Sequence, residues 1–237
     1  MKEYDWLSPL ERGEVSPDGI DLSIDHDDPM NRTVNDLSVD GGEFSFGVHL
    51  IQIANGDSQF VGLPIFPYRA FRHRCFFTLR GSEIGQIGDL QGKRIGTNAW
   101  PTTSSTWNRA LLRYYQVDIT QSQWWVGPMD DPAIEPPQAD HLPSYAKPAP
   151  LGRTIEEMLI SREVDALMCP RPTRSFYQTD SPIIRIVSDY RSAELEHFMR
   201  TKLYTPDHIV VLRRDIFNKH PEIVSKLYFA FEQAKDL

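Results

Sequence analysis

Short apolar runs of strand length alternate with longer segments of helical period along most of this chain, and that alternation constrains the fold most. Gln59–Pro64, Cys75–Leu79, Ser122–Val126, Val164–Cys169, Pro182–Val187 and Ile209–Leu212 read as strands. Trp107–Tyr115 carries Leu111, Leu112 and Tyr115 at helical spacing. Thr154–Arg162 opens with Thr154 and Glu157, the spacing of a capping box. Glu194–Met199 reads as a helix, and Pro221–Ala234 as an amphipathic one with proline in its first turn. The class is therefore α/β.

Other segments are read from turn chemistry. Pro17-Asp18-Gly19 is a turn leading into alternating Ile20, Leu22 and Ile24, a strand pattern. Residues 25–42 are acidic and polar and read as loop, and Phe44–Ala54 as a helix. Asp89–Thr97 is a turn running into a strand, and the proline-rich stretch 127–150 a long loop. Asp27 with Asp28 and Asp130 with Asp131 read as solvated loop charges.

A length of 237 residues suits one large domain or two small lobes. The net charge of -8 argues against nucleic acid as a partner, because neutralising phosphates needs a basic face. Cys75 and Cys169 make no disulfide framework and lie in no metal-ligand spacing, so neither a metal nor another cofactor is expected. The start, Met1-Lys2-Glu3-Tyr4-Asp5-Trp6, lacks the apolar core of a signal peptide, and no run is long enough to span a bilayer. The expectation is a cytoplasmic protein without a membrane partner.

Chemistry concentrates in Pro64–Arg74, where three arginines and a histidine sit among prolines and aromatics. Such a stretch suits a cationic cleft wall that grips a carboxylate or phosphate; it equally suits a surface turn with arginine stems packed on Phe66 and Phe71. Thr102, Thr103 and Ser104 open the helix that carries Trp107. They read either as plain N-caps or as an anion site made by free N–H groups.

The run Phe66-Pro67-Tyr68-Arg69-Ala70-Phe71-Arg72-His73 resembles the signature of the 4,5-dihydroxyphthalate decarboxylase family, relatives of the type 2 periplasmic solute-binding proteins. The resemblance extends to Pro9-Leu10 with Gly13, Pro17–Leu22, Asp89–Gly96, Trp107 with Arg109, Met158-Leu159, Val164–Leu167, Thr201, Pro206, His208 and the tail to Lys235. It implies a two-lobed fold with an inter-lobe cleft. Lobe one would be residues 1–80 plus 207–237, and lobe two residues 81–206. Family members carry a strand before the segment matching Tyr4-Asp5 and run on past the position of Leu237, so lobe one is expected to be incomplete. An acidic residue usual in the family is replaced within Phe44-Ser45-Phe46-Gly47-Val48.

The resemblance implies a decarboxylase for a hydroxylated aromatic dicarboxylate; the alternatives are a non-catalytic solute-binding protein for a carboxylate anion and an inactive relic. The partner in the first two is a small aromatic or other carboxylate. Arg69, Arg72, Thr102, Thr103, Ser104, Trp107 and Arg171 are the candidate binding residues. His208 is the candidate proton donor, with Asp207 as a candidate anionic neighbour. His73 is expected to be held neutral by the arginines around it and to orient the substrate.

Overall fold

The computed structural model describes residues 1–56 and 59–237. In chain order the elements are α1 (Ser8–Glu11), α2 (Pro29–Asn35), β1 (Gly41–Ser45), α3 (Phe46–Ala54), β2 (Phe60–Leu63), β3 (Phe76–Leu79) and β4 (Arg94–Thr97). Then come α4 (Thr103–Tyr114), β5 (Gln123–Val126), β6 (Ala146–Pro148), α5 (Ile155–Ile160), β7 (Ala166–Met168) and β8 (Ile183–Arg185). The chain closes with α6 (Tyr190–Thr201), β9 (His208–Arg213), α7 (Arg214–Lys219) and α8 (Ile223–Lys235). It divides into two units, Met1–Ala70 with Pro206–Leu237, and Phe71–Thr205.

The first unit is built on an antiparallel sheet in the order β1-β9-β2. Its central strand, His-Ile-Val-Val-Leu-Arg, is buried over five of its six residues, as a strand covered on both faces must be. Val210 and Leu212 face a core with Leu7, Leu10, Leu63, Ile65 and Phe231; Ile209 and Val211 face Phe44 and Phe60. Ser45 stands opposite His208, and Glu43 opposite Val210. Side chains on a strand alternate in period two, so Glu43 and His208 share a face as diagonal neighbours, within reach of a long side chain.

The second unit holds a sheet in the order β6-β5-β4-β7-β3-β8. Its first four strands run parallel, while β3 is antiparallel to both neighbours. Ile95, Leu111, Leu112 and Trp124 lie in one core; Ile155, Met158, Leu159 and Leu167 lie in another. Pairing of β3 with β7 and β8 brings residues 71–80 into this unit rather than into the first, where the sequence reading put them.

Four local readings change. Residues 20–26 are not strand: Leu22 and Ile24 pack against the first unit's core without joining its sheet. Residues 25–42 are not simply loop, since Pro29 at the first helical position starts α2 and Gly41 begins β1. Residues 127–150 contain β6, which pairs in parallel with β5 despite its proline, at the edge of the sheet. The last helix starts at Ile223, so Pro221 lies just before it, and α7 intervenes after β9.

The capping box of α5 is complete. Thr154 Oγ1 accepts the Glu157 N–H at 3.1 Å and the Glu157 carboxylate accepts the Thr154 N–H at 2.9 Å. Thr154 is buried, so water does not replace the lost bond. We expect Thr154→Ala to cost about 1 kcal/mol of stability in urea titrations, and Thr154→Ser to recover most of it. An unchanged unfolding midpoint in Thr154→Ala would contradict the assignment.

Candidate functional site

The first unit places His208 against Glu43. Glu43 is fully buried, and His208 Nδ1 donates to its Oε1. Tyr4 Oη donates to the same oxygen at 2.5 Å, and the Lys2 N–H donates to Oε2 at 2.8 Å. Burial alone would raise the Glu43 carboxyl; the hydrogen bonds from His208, Tyr4 and Lys2 outweigh it and hold the group below the usual carboxylate range. Burial and the bond to Glu43 push the Tyr4 phenol up. The Tyr68 ring lies 5.2 Å from the His208 ring, tilted by 42°. The acid bonded to His208 Nδ1 is Glu43, brought from β1, a partner that does not neighbour it in sequence. Sequence reasoning missed Glu43 because it sits one residue before the segment searched for an acid. A signal was present: a lone carboxylate directly before Phe44, in a run that alternates once it is read as a strand.

Arg69 is exposed in this unit, its guanidinium 5.1 Å from the centre of the Phe66 ring. Its backbone bridges Pro206.

The second unit brings Arg72, His73 and Trp107 together. With Phe71, Tyr114 and His197 they line a cavity of about 190 Å³. An apolar cavity of about 150 Å³ holds a benzene ring, so this volume suits one small aromatic ring. Arg72 and His73 are buried at 5% and 1% exposure. His73 Nε2 shares a hydrogen bond with Tyr115 Oη at 3.0 Å, and the His197 ring lies 5.3 Å away, edge to face. The Nδ1 atoms of His73 and His197 are buried and have no hydrogen-bond partner among the described residues. Burial first, and His197 second, lower His73 to about 4. His73 is therefore held neutral as expected, but for a different cause: burial rather than the arginine field. His197, which carries no motif, went unnoticed in the sequence.

The remaining candidates are engaged locally. Thr102 caps α4, its Oγ1 accepting the Ser105 N–H at 3.4 Å, while Thr103 and Ser104 are buried in the first turn. Arg171 is engaged locally: its Nη2 donates to Asp130 Oδ2 at 2.6 Å and its Nη1 to the Pro172 carbonyl at 3.0 Å. Asp130 in turn is not a solvated charge, because its side chain is 5% exposed and its second oxygen accepts the Arg174 N–H. Arg109 lies over Trp100, 4.2 Å from the ring centre, and donates to the Trp100 carbonyl at 2.8 Å; burial lowers its guanidinium to about 10. Among the described residues no cluster of three or more His, Cys, Asp or Glu side chains is arranged to hold a metal ion.

No family model matches the chain. A 4,5-dihydroxyphthalate decarboxylase from Comamonas testosteroni is 31% identical to it, over 98% of this chain and 72% of that protein. The chain belongs to the 4,5-dihydroxyphthalate decarboxylase family. A second member, from Pseudomonas putida, is 29% identical over 80% of this chain and 76% of its own length. The chain has the fold of the periplasmic solute-binding proteins. The periplasmic aliphatic sulphonate binding protein of Escherichia coli superposes with a TM-score of 0.50 at 16% identity. That superposition takes in 86% of this chain but only 57% of the sulphonate binding protein. The two-lobed α/β class read from the sequence is the one observed.

His73 yields a pH prediction. Its folded value, about 4, lies below the ordinary 6.5, so the unfolded chain binds the proton more tightly. The His73 contribution to stability is fully present above 6.5 and is lost as pH falls towards 4. We expect His73→Gln to flatten the loss of stability across that window, and the His73 ring to remain neutral by NMR at pH 6.5. A ring titrating near 6.5 would contradict its burial.

Proposed function

We propose that this chain is a carboxy-lyase that removes CO2 from a hydroxylated aromatic dicarboxylate such as 4,5-dihydroxyphthalate. The observation that carries the reading is a histidine fixed by a fully buried carboxylate in a member of this decarboxylase family. With Nδ1 bonded to Glu43, Nε2 is the nitrogen of His208 left to exchange a proton.

The chemistry needs only acid–base work. An electron pair from the hydroxyl para to the carboxylate is pushed into the ring, and the ring carbon bearing the carboxylate takes a proton from His208 Nε2. The carbon–carbon bond then breaks, its electron pair restores the aromatic ring, and CO2 leaves. The ring gains a hydrogen where it lost the carboxylate, and His208 recovers its proton from solvent. Within the second unit, Arg72 is the candidate cation for a carboxylate, Trp107 a candidate surface for an aromatic ring, and neutral His73 a candidate hydrogen-bonding group. Arg69, Thr103 and Ser104 are proposed as further contacts. Thr102 and Arg171 are left out, being engaged in a helix cap and an ion pair.

The test is CO2 release and thermal shift measured on the same samples with 4,5-dihydroxyphthalate. The expected result is turnover by the parent, with His208→Gln losing roughly 10²–10⁴-fold in kcat while keeping its ligand-induced shift. Arg72→Ala should weaken binding by about 2–5 kcal/mol. A shift in the parent without CO2 would replace this reading with the solute-binding one, for which the shared fold is the supporting observation.

A further inference from the structure

We propose that Glu43 is the positioning residue of His208, selecting the tautomer with hydrogen on Nδ1 and leaving Nε2 as the nitrogen turned to the proton transfer. The rate arm of this inference rests on the decarboxylase reading; the tautomer arm does not.

A buried carboxylate is unfavourable unless hydrogen bonds replace its water, and here three donors do so from three parts of the chain. Lys2 contributes a backbone N–H, which can only donate. Tyr4 Oη and His208 Nδ1 can each donate or accept. Because an ionised carboxylate only accepts, both must donate, and the proton on Nδ1 is therefore fixed by Glu43 rather than by His208 itself.

The same inventory predicts the effect of an amide at this position. In Glu43→Gln the oxygen must face the Lys2 N–H, since that donor cannot change its role. The amide nitrogen then faces Tyr4 and His208. Tyr4 can turn its hydroxyl and accept; His208 can accept only by giving up the proton on Nδ1. The neutral ring then carries its hydrogen on Nε2. The titratable groups around His208 are Glu43 from β1, which pairs with its Nδ1, Tyr4 from the amino-terminal segment, Tyr68 beside the ring and the adjacent Asp207.

The experiment records imidazole nitrogen NMR of the whole chain, labelled at histidine and assigned with His208→Gln. In the parent we expect His208 to hold hydrogen on Nδ1, and in Glu43→Gln on Nε2. Turnover on 4,5-dihydroxyphthalate should fall roughly 10²-fold or more in kcat with KM little changed. Glu43→Asp keeps an acceptor of the right charge and should recover part of kcat and the parent's tautomer. Tyr4→Phe, which leaves the carboxylate in place, should keep the tautomer too. A parent His208 with hydrogen on Nε2 would overturn the proposal without any variant. So would a folded Glu43→Gln with parental tautomer and kcat. If the parent shows the Nδ1 tautomer but releases no CO2, the pairing stands and the decarboxylase reading fails.

Discussion

The first unit depends on making a fully buried carboxylate tolerable. Glu43 has no contact with water, so its charge is carried by hydrogen bonds from Lys2, Tyr4 and His208. Those donors lie in the amino-terminal segment and in a strand that arrives after residue 205. The acid therefore ties the two ends of the chain's first unit together, and its bonds are satisfied only when β9 is seated between β1 and β2. Correct strand register and correct histidine chemistry are one condition: a slip of one residue would move His208 to the opposite face, away from Glu43.

The second unit works by a different device. Its cavity places imidazoles among aromatic walls and keeps them neutral by burial. A neutral imidazole hydrogen-bonds without contributing charge, which leaves Arg72 as the cation of that wall. The two histidines read from the sequence thus occupy opposite electrostatic settings. One is hydrogen-bonded to a buried carboxylate, and the other is buried where protonation is costly. Differing environments around chemically identical groups are how a fold assigns an acid and a hydrogen-bonding role.

Strands such as β5, β7 and β9 were legible because buried strands need continuous apolar runs, and α5 because its capping box uses fixed spacing. β1 was not legible: Gly41-Gly42-Glu43 offers no apolar face, and its pairing is set by β9 from far along the chain. Glu43 was hidden for the same reason, since its value lies in a diagonal contact across a sheet. The partner of Arg171 was equally hidden. An arginine between prolines looks available in sequence, and only the fold shows Asp130 beneath it. His208 and Arg72 were picked by residue type and by family resemblance; what the structure adds is the particular partner of the first and the burial of the second.

The account's central claim is that this member of the family protonates and decarboxylates an aromatic ring, rather than simply holding it. The most direct measurement is proton NMR of 4,5-dihydroxyphthalate incubated with the protein in heavy water. The account predicts conversion to the corresponding dihydroxybenzoate with a deuteron at the ring carbon that lost its carboxylate. Recovery of unchanged 4,5-dihydroxyphthalate from a sample in which the protein demonstrably binds it would contradict the claim.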